Sequence, residues 1–168
     1  MKQKFLEFYM DIALRTAELS YCTRLKVGAI IVKNDRIISL GYNGTVPGAL
    51  NYCEKNIFAS ASGGKIDLED IEEMFPFENE HGQRFRKETL PEVLHAEENA
   101  IGKLAKGNES GNGATMFLTH SPCIHCAKTI FVSGITTVYY NEVYRDDAGL
   151  EFLAECGVKV KKLNTVCE

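Results

Sequence analysis

Two short motifs contain side chains that can bind a metal ion and move protons. The first is H-A-E at residues 95–97, and the second is P-C-I-H-C at residues 122–126. One imidazole and two thiolates suit zinc, a borderline-soft ion. We therefore predict that His95, Cys123 and Cys126 bind Zn²⁺. Three protein ligands leave the fourth tetrahedral position open to water, as in catalytic zinc sites.

Glu97 lies two residues after His95, too close to join the same ligand set easily. Zinc lowers the pKa of a bound water molecule from 15.7 to about 7. A carboxylate beside that water can accept its proton and then donate it to a substrate. We predict this catalytic role for Glu97.

The second motif also predicts how its cysteines are positioned. Pro122 suits the first turn of a helix, and Ser121 suits the N-cap before it. Cys123 and Cys126 then share one face of that turn, where the helix N-terminus favours thiolates. If His95 also begins a helix, two helix N-termini converge on the metal.

Each motif taken alone has a structural alternative. Cys123 and Cys126 also fit a structural zinc half-site or two inert cysteines. His95 by itself fits a hydrogen-bonded core histidine. The two motifs together are more specific and favour the catalytic interpretation.

The elements around these motifs predict an α/β fold. A turn at Asn34 and Asp35 joins two β-branched apolar segments into an antiparallel pair. From residue 95 onward helices and strands alternate, which favours parallel pairing. The sum is a mixed five-stranded sheet flanked by helices in α-β-α layers. The predicted helices are 3–20, 67–74, 95–106, 123–133 and 148–156, and the predicted strands are 27–33, 36–41, 114–119, 135–140 and 158–163.

The chain of 168 residues fits one domain, 1–168, with an insert at about 44–91. The insert is rich in glycine, proline and polar residues and lacks strong periodicity. A segment of this kind and length is typically functional or mobile.

Composition restricts the partners and the compartment. The net charge is −4 at pH 7, and the basic residues are scattered, which favours a small anionic ligand over polymeric nucleic acid. No apolar run approaches the roughly 20 residues that span a bilayer, so we expect no membrane partner. The start of the chain lacks the apolar stretch of a signal peptide. We expect a cytoplasmic protein whose six cysteines form no disulfide framework.

Five segments together resemble one enzyme family. They are LHAEENAI and ATMFLTHSPCIHCAKTI, which contain the two motifs, and RLKVGAIIV, GYNGTVPG and VYYNEVYRDDAG. The combination of H-x-E with P-C-x-x-C is the signature of zinc deaminases of nucleobases. The chain resembles the cytidine deaminase superfamily, and most closely its deoxycytidylate (dCMP) deaminases from bacteriophages and eukaryotes.

The resemblance implies a reaction and a place for it. The expected reaction is zinc-dependent hydrolysis of dCMP to dUMP and ammonia, with dUMP supplied for thymidylate synthesis. Glu97 would shuttle protons to the ring nitrogen and to the departing ammonia. A phage protein of this kind would work in the host cytoplasm.

The resemblance and the predicted fold together give candidates for substrate binding. An asparagine amide can donate and accept at once, which suits a sugar hydroxyl beside a pyrimidine carbonyl. The alternatives are a turn asparagine, solvated surface charges and a core tyrosine. The candidates are Asn43 for sugar and base, Ser121 for the base edge, Arg24, Lys26 and Arg145 for the 5′-phosphate, and Tyr144 for stacking.

Family members also imply regulation and further metal. Many form hexamers that dCTP activates and dTTP inhibits, so we expect a homo-oligomer (a hexamer) and Mg²⁺ on the regulatory triphosphate. We predict that residues 41–51 help to form that site, since glycines let backbone N–H groups approach phosphates. The candidate residues there are Tyr42, Gly44, Gly48 and Asn51. A second, structural zinc would use Cys22, Cys53, His81 and other residues.

Other functions stay open on the sequence alone. The chain could deaminate another cytosine nucleotide or a base within nucleic acid. A non-enzymatic alternative is a zinc-stabilised binding module, in which His120 or His125 closes the coordination as a fourth ligand.

Overall fold

The computed structural model describes residues 1–59 and 68–163. Among them, no helix is long and apolar enough to cross a bilayer. The helices are α1 (Gln3–Ala17), α2 (Leu68–Met74), α3 (Ala96–Leu104), α4 (Ile124–Val132) and α5 (Ala148–Glu155). The strands are β1 (Gly28–Lys33), β2 (Arg36–Tyr42), β3 (Glu54–Phe58), β4 (Phe77–Glu78), β5 (Arg84–Thr89), β6 (Thr115–His120), β7 (Thr137–Glu142) and β8 (Lys159–Lys162).

The central sheet has five strands in the order β2-β1-β6-β7-β8. The strands β1 and β2 form an antiparallel hairpin, and β1 also pairs antiparallel with β6. The pairs β6–β7 and β7–β8 are parallel. The predicted mixed five-stranded α/β sheet is therefore confirmed, including the change from antiparallel to parallel pairing.

The hairpin turn consists of two residues with left-handed backbone. Asn34 and Asp35 have φ values of 51° and 56°. Two-residue hairpin loops with positive φ at both positions match the twist of the flanking strands, and asparagine and aspartate tolerate that conformation well. The turn predicted from these two residues is the one observed.

Helices cover both faces of the sheet, and the alternation of side chains along β1 shows how. Ile30 and Val32 pack against α1, whereas Ala29 and Ile31 belong to the core formed with α3, α4 and α5. Successive residues of a strand point to opposite faces. A strand buried on both faces therefore reads as a continuous apolar run, as β1 does.

The helix α1 buries a different stripe from the one its aromatic residues suggest. Phe5, Phe8 and Leu19 are exposed. The buried residues of α1 are Leu6, Tyr9, Met10, Ala13, Thr16 and Ala17, and the helix ends at Ala17 rather than at residue 20. These positions recur at the three- and four-residue spacing of one helix face.

The helix α3 lies unusually close to β2. A Cβ atom added at Gly41 would lie 2.3 Å from the Ala96 carbonyl oxygen and 2.4 Å from the Ala100 nitrogen. Only glycine allows this approach of two backbones. The contact fixes the distance between α3 and the sheet. The first residues of α3 belong to the first motif, so the contact also positions that motif.

The segment predicted as an insert contains a second sheet that the sequence did not predict. Its strand order is β3-β5-β4, and both pairings are antiparallel. The predicted helix at 67–74 is present as α2, although residue 67 lies outside the described part of the chain. The pair Glu54 and Thr89 stands at one end of this sheet, beside the cavity described below.

Candidate active site

The structure brings together the three side chains predicted as zinc ligands. The His95 Nδ1 atom lies 3.7 Å from the Cys123 sulfur and 3.3 Å from the Cys126 sulfur. All three ligand atoms lie within 4.8 Å of one another. Among the residues that the structure describes, this is the one group of three or more such side chains close enough to hold a metal ion.

The spacing of these atoms fits a zinc ion. Zinc–sulfur bonds of about 2.3 Å and zinc–nitrogen bonds of about 2.0 Å, at tetrahedral angles, separate sulfur from nitrogen by about 3.5 Å. The two observed distances of 3.7 Å and 3.3 Å lie on either side of this value. The donor set of one imidazole and two sulfurs is also one that zinc prefers.

Two helix N-termini deliver the three ligands. His95 is the N-cap of α3 and Cys123 is the N-cap of α4, whose third residue is Cys126. The carboxylate of Glu98 accepts a hydrogen bond from the His95 backbone N–H at 3.1 Å, which secures the start of α3. The expected convergence of two helix N-termini is therefore present.

The predicted cap of α4 was wrong by two residues. Cys123, not Ser121, is the N-cap, and Pro122 precedes the helix. The Ser121 hydroxyl instead accepts a hydrogen bond from the Tyr144 backbone N–H at 2.7 Å. The serine thus connects the second motif to the loop after β7, and the proline ends the strand segment instead of starting the helix.

Hydrogen bonds inside the cluster divide the protons unequally between the sulfurs. Those with Cys126 and His95 lower the pKa of the Cys123 thiol to about 3. The hydrogen bond with Cys123, together with burial, raises the pKa of Cys126. The hydrogen bond with Cys123 raises the pKa of His95 to about 9. A metal ion that binds to these ligands would displace the protons that they share.

Glu97 lies directly beside the ligands and is buried, with 4% of its surface exposed. Burial raises the pKa of its carboxyl group to about 7, and a hydrogen bond from its own backbone N–H and the charge of His95 oppose that shift. Glu97 is the second residue of α3 and lies in the first turn of that helix. A carboxylate at this place can exchange protons with whatever occupies the space next to the cluster.

A cavity of about 250 Å³ opens beside the cluster and Glu97. Four of the predicted substrate residues line it, namely Arg24, Asn43, Ser121 and Tyr144. Arg145 lines an adjoining cavity of about 380 Å³, which shares Tyr144 with the first. Lys26 is exposed and lines neither cavity. The two cavities together reach the range of about 300–1,000 Å³ of small-molecule sites.

Asn43 already makes hydrogen bonds with the chain at the edge of the cavity. Its Oδ1 atom accepts from the Val27 N–H at 2.8 Å, and its Nδ2 atom donates to the Leu25 carbonyl at 2.8 Å. An amide group still has one further donor hydrogen and one further lone pair. The side chain therefore shapes the loop before β1 while keeping a donor and an acceptor for a ligand.

Among the cavity residues that sequence reasoning missed as substrate-site candidates are three with polar side chains: Glu54, Thr89 and His120. The first two belong to the second sheet, which was not predicted. His120 ends β6, and its Nδ1 atom lies 3.1 Å from the Thr119 hydroxyl oxygen. Its position directly before Ser121 is the signal that could have identified it.

The fourth ligand required by a closed structural zinc site is missing among the described residues. Neither His120 nor His125 joins the group formed by His95, Cys123 and Cys126. His120 lines the cavity, and His125 lines the adjoining one. The arrangement is that of an open site next to a cavity, which disfavours the binding-module interpretation.

The predicted second zinc site is likewise not assembled in the described part of the chain. Cys22 and Cys53 are buried against Val93, and burial is the main cause that raises the pKa of Cys53 to about 12. His81 is exposed beside Glu80. No second group of three metal-ligand side chains forms among residues 1–59 and 68–163.

The predicted regulatory residues Gly44 and Gly48 differ in backbone hydrogen bonding and conformation. The Gly44 N–H donates to the Leu94 carbonyl at 3.1 Å, so that donor is already occupied. Gly48 has a φ of 92°, which favours glycine, and the space around it is open. Of these two glycines, Gly48 is the one whose conformation requires its residue type.

Comparison with known proteins identifies the family. The family model for the cytidine and deoxycytidylate deaminase zinc-binding region matches residues 3–142. The deoxycytidylate deaminase of Enterobacteria phage T4 is 37% identical over 147 residues, covering 80% of this chain and 76% of that protein. The Saccharomyces cerevisiae deoxycytidylate deaminase is 30% identical over 165 residues, covering 98% of this chain and 46% of that protein.

A solved structure agrees with both the sequence relatives and the observed fold. The crystal structure of dCMP deaminase from the cyanophage S-TIM5, in complex with dCMP and dUMP, matches with a TM-score of 0.76 and 39% identity. The match covers 97% of this chain and 99% of that one. The chain belongs to the cytidine and deoxycytidylate deaminase family, a family of zinc-binding enzymes. Within that family it is similar to the deoxycytidylate deaminases of bacteriophages and eukaryotes.

Proposed function

We propose that this protein hydrolyses dCMP to dUMP and ammonia. The observation that carries the proposal is the open three-ligand cluster beside buried Glu97, at the wall of a cavity of about 250 Å³. The S-TIM5 relative was solved with dCMP and dUMP bound, the substrate and product of this reaction. His95, Cys123 and Cys126 would hold the zinc ion.

The carboxylate of Glu97 is the proton carrier of the proposed reaction. It accepts a proton from the attacking water, donates one to ring N3, and helps to protonate the departing amine. Water adds at C4 and the C4–N4 bond breaks, so dCMP and water give dUMP and ammonia. Zinc, when bound, supplies the Lewis acidity that makes water nucleophilic at neutral pH.

The remaining cavity residues would bind and orient the nucleotide. Asn43 keeps one donor and one acceptor for the sugar and base, as argued above. Ser121 lines the same cavity, and we propose that the serine and its backbone bind the base edge. Tyr144 offers a ring beside the cavity, with the Arg145 guanidinium 4.9 Å from the ring centre. We propose Arg24 as the main cation for the 5′-phosphate, because it lines the same cavity as the cluster.

The test is a substrate panel with two variants. Ammonia release is followed with cytidine, CMP, dCMP and dCTP, and the proposal predicts the highest kcat/KM for dCMP. Glu97→Gln should retain zinc and lose turnover by at least a factor of about 10², the lower range for one general acid–base group. Glu92→Gln is the matched control, since Glu92 is an exposed carboxylate three residues before His95. Full dCMP turnover by Glu97→Gln would contradict the proposal.

We further propose that dCTP activates and dTTP inhibits the enzyme at residues 41–51. The family resemblance supports this regulation, as does the open, left-handed backbone at Gly48. Lys103 lies beside the same segment, with its ammonium 5.5 Å from the centre of the Tyr42 ring, so a cation is near for a triphosphate and its Mg²⁺. Asn51, within hydrogen-bond reach of Thr45 at 3.5 Å, belongs to the same loop.

Titration with each triphosphate at fixed dCMP tests the regulation, and flat curves for both would contradict it. Light scattering with size exclusion tests the proposed hexamer. We propose the cytoplasm as the compartment, where dUMP would feed thymidylate synthesis. The free, buried thiols of Cys22 and Cys53 support a reducing environment.

A further inference from the structure

The second sheet holds the loop that contains Arg24 at the mouth of the cavity. One oxygen of the Glu54 carboxylate accepts hydrogen bonds from the backbone N–H groups of Thr23 and Arg24, at 2.8 Å and 3.0 Å. The other oxygen accepts from the Thr23 hydroxyl at 3.2 Å. Carboxylates make strong hydrogen bonds to backbone N–H groups, so Glu54 fixes the backbone of these two residues.

The side chain of Arg24 is held from the same sheet. Its Nη1 atom donates to the Thr89 hydroxyl oxygen at 2.9 Å. Glu54 and Thr89 are directly paired across β3 and β5, so their side chains share one face of the sheet. Lys87, two residues before Thr89 on that face, donates from Nζ to the Thr23 hydroxyl at 2.9 Å. One face of the second sheet therefore fixes both the backbone and the guanidinium of Arg24.

The contacts leave the positive charge of Arg24 available. Glu54 bonds the backbone of Arg24, and Thr89 is a neutral partner of its guanidinium. Among the described residues, no carboxylate forms an ion pair with Arg24. A guanidinium has five N–H donors, and Thr89 uses one of them. An oriented arginine with its charge uncompensated is suited to an anionic group such as phosphate.

We infer that Glu54 and Thr89 are positioning residues, which aim the Arg24 guanidinium at the 5′-phosphate of the nucleotide substrate. This inference rests on the proposed deamination of dCMP and assigns part of its specificity to the second sheet. The other two candidate cations are less suited. Arg145 lies beside the ring of Tyr144 in the adjoining cavity, and Lys26 lines neither cavity.

The decisive variant is Thr89→Val, which replaces the hydroxyl by a methyl group of similar size. It removes the partner of the guanidinium and leaves the Glu54 bonds to the backbone. KM for dCMP should rise about 5- to 10-fold, the factor for one hydrogen bond, with kcat changed less than twofold. Thr89→Ser restores an acceptor and should recover most of the loss. Glu88→Gln is the control, because Glu88 pairs with Lys55 on the opposite face of the sheet.

A double-mutant cycle separates positioning from general destabilisation. If Thr89 acts through Arg24, Arg24→Gln/Thr89→Val should have the same KM as Arg24→Gln alone. A further increase in the double variant would overturn the inference. So would a Thr89→Val enzyme that lowers kcat without raising KM, or one that matches Glu88→Gln. Glu54→Gln should raise KM in the same direction, with thermal unfolding recorded beside it.

Titration with dUMP keeps this inference distinguishable from the proposed reaction. Wild-type enzyme that fails to release ammonia from dCMP contradicts the proposed function. Calorimetric binding of dUMP to wild type and to the same variants does not depend on turnover, and the affinity should fall in Thr89→Val and return in Thr89→Ser. Equal dUMP affinity in wild type, Thr89→Val and Arg24→Gln overturns the assignment of the phosphate to Arg24.

Discussion

Replacing Gly41 by alanine should damage both the stability and the activity of the protein. The added Cβ atom would lie 2.3 Å from the Ala96 carbonyl oxygen, whereas ordinary contacts begin at 3.4 Å. The backbones of β2 and α3 must therefore separate by about 1 Å, and overpacking of this kind typically costs about 1–3 kcal/mol. We expect the upper end of that range, because both clashing atoms belong to the backbone and cannot rotate away.

A stability loss of about 3 kcal/mol corresponds to a Tm decrease of about 6–12 °C for a chain of this length. The activity should fall further, since α3 follows its N-cap His95 and contains Glu97. Misplacement of a catalytic group by about 1 Å can lower the rate about 10²-fold. Differential scanning fluorimetry, zinc content and dCMP turnover measure the three effects.

Gly102→Ala is the matched control within the same helix. Gly102 is exposed in α3, and no atom lies within 4 Å of its added Cβ. Alanine is favoured over glycine in helices by about 1 kcal/mol, so this variant should be as stable as wild type or more so. If Gly41→Ala unfolds at the same temperature as Gly102→Ala and turns over dCMP equally fast, the argument from backbone proximity is refuted.

Three further predictions concern the metal, the core and the cavity. A chelator should abolish turnover and added Zn²⁺ should restore it, with one equivalent of zinc per chain by elemental analysis; persistent activity without metal would contradict the site. Phe117→Ala should lower the free energy of unfolding by about 3–5 kcal/mol in urea, because Phe117 is fully buried with its ring centre 5.1 Å from that of Tyr139. Burial lowers the pKa of His120, so NMR should find its protonation midpoint below the ordinary 6.5. Neutral His120 then contributes stability above pH 6.5 that is lost as the pH falls towards its lower folded-state pKa.

The sequence predicted the structure best at positions where the residue types allow few alternative roles. The H-A-E and P-C-I-H-C motifs identified a group that the structure assembles, because zinc needs few ligands of restricted chemistry. The turn at Asn34 and Asp35 and the apolar run of β1 were equally readable. The predicted start of β7 was wrong by two residues, because the strand begins at Thr137 rather than at residue 135. Ile135 is β-branched and buried, so its residue type is typical of a strand although it lies just before one.

The second sheet could not be read from the sequence for a physical reason. Its strands β3 and β5, EKNIF and RFRKET, are charged and largely half-exposed or exposed. They lack the alternation of apolar and polar residues that identifies a strand packed on a core. The role of Glu54 depends on this pairing, because it meets residues 23 and 24 only after β3 has docked beside them. The prediction of Ser121 as the N-cap of α4 was wrong because serine and proline are common just after strands as well as at the starts of helices.

The pairing of residue 54 with residue 89 has a consequence for how this protein family can vary. The chain enters the second sheet at residue 54 and leaves it at residue 89, and these two residues are neighbours. The rings of Phe58 and Phe85 meet at the opposite, outer end of the sheet. A change in chain length at the outer end therefore leaves the two anchoring side chains in place. Relatives with longer or shorter excursions here can therefore keep the same cavity, and a transplanted outer segment should leave dCMP turnover unchanged.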